Sequence, residues 1–511
     1  MQGNTRSKIK TLDEIAEIAA VARVAGKKIV LCHGVFDLVH IGHVRHFQLA
    51  RKEGDLLIVT LSTEMHVNKG PGRPVFNDGL RAEMLAALEQ VDWIAISPDP
   101  SAERVIEVIQ PTVYVKGSDY ADPASDVTGK LEQEKKAVEK HGGRMVITRD
   151  ITFSSSSLIN EYLDVFDPEL RHYLAEAGER EVETQINEAL EKAANLRVLI
   201  IGDAIIDEYQ YVTTMGKSAK ANMIATRFES SEFFAGGVFA AANHIASICQ
   251  EVEIITVLGS ADSREVVIRD QLAPNVKITP LFREGVPTTR KCRFISSGYL
   301  RKLFEIYHFE DTPIPKKIRD RLIENIQQKV EDFDVIVVND FGHGMLDSKS
   351  IEAISDTGKF VCVNTQTNSA NHGYNLITKY ARADFICIDA PEAQLAARDR
   401  FSSIESILSD TLAKMIDCNR FIVTHGREGC VAYDEDSGTI RIPAFTKTVV
   451  DTIGAGDAFF SIAAPLAAVG ASMEVAAFAG NAAGAIKVGI VGHRKYVEKI
   501  PLIKYITSLF K

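Results

Sequence analysis

Apolar residues recur at helical spacing over residues 12–25, break at Gly26, and then run unbroken over 28–32. The change of period predicts an amphipathic helix followed by a buried strand. Further apolar runs at 55–61, 93–96, 113–115 and 145–148 alternate with helical patterns near 44–52, 79–89, 102–109 and 130–141. Strands and helices taking turns at this spacing imply a parallel sheet. Residues 159–196 are helical and charged, with Ile186, Leu190 and Ala193 at helical intervals and no strand candidate, so a domain boundary is expected there. A second α/β series opens at 197–202 and continues through 254–258, 334–338, 360–364, 385–388 and 421–424. Over 209–234 polar and apolar residues alternate, which suggests a small β lid. The expected division is a first domain over 1–160, a helical linker over 161–196 and a second domain over 197–511.

A chain of 511 residues exceeds one hydrophobic core, in keeping with that division. With 46% hydrophobic and 25% charged residues it should fold, and the net charge of −11 argues against general affinity for nucleic acid or an anionic membrane. The richest apolar stretch, 476–492, is interrupted by Asn481 and Lys487, so no membrane span is expected, and the N-terminus lacks the apolar core of a secretory signal. Seven cysteines, never in CxxC spacing, read as buried hydrophobes in a reducing cytoplasm.

The segment from His33 through His43 follows the first strand and ends where a helix begins. Such a junction points backbone N–H groups and a positive helix end at an anion. His40 and His43, with Gly42 between them, could both face a phosphate chain; by spacing alone, metal ligation or two satisfied histidines are equally good readings. The chain continues with Lys69-Gly70-Pro71-Gly72-Arg73-Pro74, Arg81, Val115-Lys116-Gly117-Ser118-Asp119-Tyr120 and a serine run at 154–157. These separated motifs resemble the HxGH nucleotidyltransferase superfamily, and within it the cytidylyltransferase-like domain of bacterial enzymes that make nucleotide-activated heptose. The resemblance implies a Rossmann-like domain in which His40, His43 and Lys69 are catalytic, the histidines gripping a triphosphate. It implies nucleotide contacts from Gly34, Phe36, Arg73, Arg81, Lys116 and Asp119, and from Ser154, Ser155 and Ser156 at the β- and γ-phosphates. The alternative for Lys69, Arg73 and Arg81 is a solvated cationic rim. Asp37 would orient the loop or help hold Mg²⁺, and His33 carries no assigned role.

Asp451-Thr452-Ile453-Gly454-Ala455-Gly456-Asp457 is a glycine turn leading into an apolar helix. Free N–H groups at such a turn can enclose a phosphoryl group, with Asp457 beside them as a base. A structural glycine turn would be the default reading of that motif alone. Gly202-Asp203, Asp207, Gly236-Gly237, Asn243, Asp389-Ala390-Pro391-Glu392, Thr424 through Gly429, and Asn481 accompany it. Together they resemble the ribokinase family of sugar kinases, most closely its heptose-phosphate branch. The resemblance implies a ribokinase-like α/β domain with a small β lid, Asp457 as base, and Gly454, Ala455 and Gly456 as anion hole. It places Asp203, Asp207, Gly236, Gly237 and Asn243 at the sugar, and Thr424, Gly426, Gly429, Asn481 and Glu392 at ATP, with Glu392 acting on Mg²⁺ through water. Lys291 and Arg293 would bind a phosphate already on the sugar, or form an exposed strand face. Asp451 is expected to brace the turn.

The chain departs from that branch at Ile306 and His308, where an arginine and an aspartate are expected, and at Asn364-Thr365-Gln366. The two domains also stand in the opposite order. The expectation is a cytoplasmic bifunctional enzyme that phosphorylates a sugar phosphate with ATP and joins a sugar 1-phosphate to a nucleotide, giving an ADP-heptose-like product. Its partners are sugar phosphates and nucleoside triphosphates, with Mg²⁺ and a monovalent cation as cofactors, and a homodimer formed through the lids. CTP at the transferase, a polyol phosphate substrate, or a kinase domain kept as sensor or scaffold are the rival readings.

Overall fold

A computed structural model describes residues 5–67, 73–117, 130–148, 160, 166–298 and 300–511. The chain divides into two compact units, Met1–Asp167 with Ile503–Lys511, and Pro168–Leu502.

The first unit is built on a six-stranded parallel sheet in the order Ile9–Lys10, Trp93–Ser97, Leu56–Ser62, Ile29–Gly34, Val113–Lys116, Arg144–Ile147. Successive residues of the strand Ile29–Gly34 serve opposite cores, as the pleat requires. Ile29 and Leu31 pack with Ile15, Ala19 and Ile106, whereas Val30 and Cys32 pack with Phe47, Ala82 and Leu85. The strand order reverses beside Ile29–Gly34, so the loop that follows it lies at the topological switch point, where α/β sheets bind ligands. The edge strand Ile9–Lys10 is two residues long and too short to leave a periodic signal.

The second unit opens with the helices Pro168–Glu179 and Val182–Ala193. Tyr173 donates to Glu474 at 3.1 Å and Arg180 donates to it at 2.7 Å, which fastens the first of these helices to the helix Met473–Lys487. The sheet has nine strands in the order Val276–Arg283, Glu251–Gly259, Arg197–Gly202, Val335–Asp340, Phe360–Thr365, Phe385–Asp389, Arg420–Thr424, Cys430–Asp434, Gly438–Ile442. The first seven are parallel and the last two antiparallel. Arg197–Gly202 stands at this sheet's switch point. The helices Ala455–Ala468 and Met473–Lys487 are apolar on nearly every face and correspondingly buried.

A separate four-stranded sheet orders Arg301–His308, Arg290–Ser296, Ala204–Lys217 and Ile224–Gly237. The expected lid is therefore the outer part of a longer hairpin, and the basic segment around Lys291 and Arg293 is one of its neighbouring strands.

Candidate active sites

In the first unit His40 caps the helix Ile41–Arg51. Its Nδ1 accepts the Gly42 N–H at 3.1 Å, and His43 Nδ1 accepts the His40 N–H at 3.3 Å, leaving the two rings 4.0 Å apart. A neutral imidazole that accepts at Nδ1 carries its proton on Nε2, so both rings are set as donors. Phe36, at φ 49°, lays its ring edge-on to His43 at 5.5 Å. Gly34 makes room for it, since a Cβ there would meet the Phe36 ring at 3.0 Å.

The cations around this loop have protein partners. Arg81 is wholly buried rather than at the rim, and its guanidinium donates to Val35 O at 2.6 Å, Ser62 O at 2.9 Å and Phe76 O at 3.0 Å, with Asp78 beside it. Five donors in a rigid fork suit such a junction of loops. Lys116 pairs with Glu134 at 2.8 Å in a buried contact, and Arg73 donates to Asn160 at 2.5 Å. Asp37 accepts from the N–H groups of Val75 at 2.7 Å and Phe76 at 3.2 Å, which makes it a loop brace. His33 bonds Thr60 at 2.9 Å and Ser62 at 3.2 Å, and burial pushes its pKa down to about 3, so it is a neutral, half-buried structural residue. Lys69, Asp119, Ser154, Ser155 and Ser156 lie outside the described residues.

In the second unit Gly454 caps the helix Ala455–Ala468 at φ 74°, a conformation that suits glycine. Ala455 N–H turns back to Thr452 O at 3.3 Å. The amides of Gly456 and Asp457 belong to the first helical turn, where no carbonyl of the same helix can reach them. Asp457 is buried, and burial raises its pKa; Gln366 donates to it at 2.5 Å. The Asn364-Thr365-Gln366 departure thus puts a neutral amide on the candidate base.

Asp207 forms an ion pair with Arg293, accepts from His493 at 3.3 Å, and is held well below the usual carboxylate range by these two neighbours despite burial. Arg293 also reaches Glu305 at 3.2 Å. A Cβ on Gly236 would stand 2.0 Å from Asp207 Oδ2, so only glycine allows this approach. Gly237, at φ 53°, lies against the Asp203 carbonyl, and Asp203 accepts the Phe341 N–H at 2.9 Å. Burial and the neighbouring Asp340 push the Asp203 carboxyl up. Lys291 is buried with its ammonium 5.2 Å from the Tyr307 ring centre; burial lowers its pKa, while Asp207, Glu305 and Asp457 oppose that. Asp203 and His343 line a small cleft of about 40 Å³. His343 Nε2 is buried with no partner among the described residues, and burial pushes that imidazole down to about 3.

Glu392 and Asp389 form a reciprocal cap on the helix Ala390–Ala397. Glu392 accepts from the N–H of Thr367 at 2.8 Å and of Asp389 at 3.0 Å, and its carboxyl is pushed up by burial and by Asp389. Thr424 pairs with Asp389 on the adjoining strand end, with Gly426 at φ 52° and Gly429 at φ 88° in the following loop. Asn481 donates to Pro443 O at 2.7 Å, and both ends of the Asn243 amide are taken, by Gln271 O at 2.9 Å and Ala273 N–H at 2.8 Å. Asp457, the glycine turn, Asp207, Arg293 and Lys291 therefore converge, whereas Asn243 and Asn481 hold secondary structure together. Sequence reasoning missed His343 and His493, marked Gln366 only as a departure from the kinase branch without its contact to Asp457, and marked Lys487 only as a break in an apolar run. The signal at Lys487 is that of a lone charge in an apolar helix, which burial obliges to find partners. Among the described residues no group of three His, Cys, Asp or Glu side chains forms a metal site.

Residues 195–499 match the family model for pfkB family carbohydrate kinases, and 31–161 match the cytidylyltransferase-like model. The chain is 40% identical over 157 residues to the bifunctional protein HldE of Geotalea uraniireducens (strain Rf4), a match covering 30% of this chain and 31% of that one. To the bifunctional protein HldE of Rhodopseudomonas palustris (strain BisA53) it is 28% identical over 305 residues, or 58% of this chain and 60% of the relative. The chain thus spans about a third of the first relative's length. The phosphofructokinase-2 of Escherichia coli, in a crystal structure with potassium, superimposes with a TM-score of 0.50 at 15% identity over 61% of this chain and 99% of that one, a likeness of fold.

Proposed function

The chain belongs to the pfkB family of carbohydrate kinases, with a cytidylyltransferase-like domain ahead of the kinase, and from that premise we propose that it catalyses two transfers in one route to a nucleotide-activated sugar. The second unit phosphorylates a sugar phosphate with ATP. The first joins a sugar 1-phosphate to a nucleotide and releases pyrophosphate. The two HldE relatives support an ADP-heptose-like product. The single observation that carries the kinase half is the convergence of Asp457, the Gly454 turn and the Asp207–Arg293 pair in one buried group.

In this reading Asp457 takes the proton of the attacking sugar hydroxyl, which contributes about 10² to 10⁴-fold. The amides of Gly456 and Asp457 meet the transferring phosphoryl group, and Lys291 draws the substrate's existing phosphate into the cleft. Mg²⁺, which neutralises polyphosphate charge in such reactions, would be held with ATP near Glu392, whose carboxyl is pushed up by burial and by the negative charge of Asp389 and Asp457. In the first unit His40 and His43 donate to the triphosphate at a helix start, and the leaving pyrophosphate departs without a covalent intermediate. Met215, Met223, Ile224, Phe228, Phe304 and Ile306 are exposed on the four-stranded sheet, and pairing of two copies there would cover them. Seven free, buried cysteines suit a reducing cytoplasm.

Purified full-length protein incubated with ATP or CTP and a panel of sugar phosphates tests the reading. ADP from a heptose 7-phosphate and pyrophosphate from the corresponding 1-phosphate are expected with ATP. Pyrophosphate without ADP removes the kinase half, and pyrophosphate from CTP alone changes the nucleotide.

A further inference from the structure

Lys487 ends the apolar helix Met473–Lys487 with its side chain wholly buried. An ammonium taken out of water must be hydrogen-bonded or paired. Its Nζ donates to Ile453 O at 2.8 Å and to Gly492 O at 2.6 Å. Asp451 grips the same two residues through their other backbone groups, accepting from Ile453 N–H at 3.1 Å and Gly492 N–H at 2.9 Å. Tyr209 and Lys302 fix Asp451 in turn, each at 2.7 Å. Ile453 directly precedes Gly454, and Gly492 directly precedes His493, whose ring lies over Gly454 where a Cβ would meet it at 2.5 Å. The phosphoryl turn is thus clamped by one carboxylate and one ammonium acting on the same two residues.

Backbone carbonyls converging beside a carboxylate are what a dehydrated monovalent cation also seeks. The resemblance to sugar kinases implies such an ion, but here an ammonium already takes the carbonyls of Ile453 and Gly492 beside the turn, so the residues do not fit one. We propose that Lys487 is a tethered internal cation that stands in for a monovalent metal ion beneath the Gly454 turn, making the kinase independent of potassium. Asp451, Asp457 and Asp207 favour its charged form, and burial brings its pKa down only to about 8, which keeps it mostly protonated at neutral pH. Lys487 acts through the turn and is a positioning residue; its catalytic readout rests on the kinase reading, whereas its effect on stability does not.

The test compares the full-length protein in potassium chloride and in tetramethylammonium chloride, by ADP formation and by thermal melting. The wild type is expected to show the same rate and melting temperature in both salts. Lys487→Ala should lose about 10²-fold in kcat from misplacement of the turn and recover about tenfold when potassium, ammonium or methylammonium is added, with a matching rise in melting temperature. Lys487→Met fills the space and should not be rescued. Stimulation of the wild type by potassium of more than about tenfold overturns the proposal, as does a Lys487→Ala variant with wild-type kcat in tetramethylammonium. If Lys487→Ala fails to fold, the wild-type comparison decides. Absence of ADP in every salt defeats the kinase reading, and the melting comparison still decides the role of Lys487.

Discussion

The two candidate sites meet polyphosphate by different means. In the first unit three cations that the motifs offered to the nucleotide are committed to the protein: Arg81 to three carbonyls, Lys116 to Glu134 and Arg73 to Asn160. What faces the switch point among the described residues is a pair of imidazoles on a helix start. In the second unit the charges around the glycine turn are balanced against one another, Asp207 with Arg293 and Asp451 with Lys302. Among the described residues the first site presents dipoles and neutral donors, whereas the second presents fixed charge. Desolvation explains the contrast, because a buried charge without a partner is too costly to wait empty for substrate.

The sharpest way to break the comparison is to silence one site at a time. Asp457→Asn is expected to lower ADP formation by about 10³-fold and leave pyrophosphate release intact, and His43→Ala should do the reverse. Parallel assays on each variant would refute two independent sites if both products vanished together. Next in size, Arg81→Met should destabilise the first unit by about 3 kcal/mol, since it strands three carbonyl acceptors, while ADP formation at low temperature is unchanged. Chemical denaturation followed by transferase and kinase activity separates these effects; an Arg81→Met variant as stable as wild type but with a raised KM for ATP at the transferase would make Arg81 a ligand after all.

Gly236→Ala drives a methyl group into Asp207 and should cut ADP formation by about 10²-fold, with the loss mostly in substrate KM. Lys291→Met should raise KM about tenfold for a sugar phosphate and not for ATP; equal effects on both would remove Lys291 from the substrate. The smallest effect is in pH. His33 and His46 have an ordinary value of 6.5 that burial lowers to about 3 and about 4, so they are neutral in the folded unit and protonated in the unfolded chain between those values. Their contribution is present above pH 6.5 and lost as pH falls toward 4, and His46→Gln should flatten that part of a melting-temperature profile.

Strands of the central sheets were legible because residues buried on both faces leave continuous apolar runs, as in Arg197–Gly202. Val276–Arg283 was not, because it is a half-exposed edge strand interrupted by Pro280. The hairpin Cys430–Asp434 and Gly438–Ile442 was hidden behind the glycines of the preceding loop. Asp457 and the Gly454 turn were legible because their chemistry is contained in seven consecutive residues. His493 reaches the same site from a loop distant in sequence with nothing in its neighbours to mark it, and Gln366, marked as a departure from the kinase branch, gave no sign of its contact with Asp457.

By itself the sequence determined the α/β alternation, the histidine-bearing helix start of the first unit and the glycine-bearing helix start of the second, and the family to which each half is similar. These are local properties of period and spacing. Which charges stay available and which are consumed was decided only by the tertiary structure. Arg81, Lys116 and Lys487 are all lysine or arginine in a motif or an apolar run, and their difference lies in the carbonyls and carboxylates that distant segments bring within hydrogen-bond reach once water is excluded.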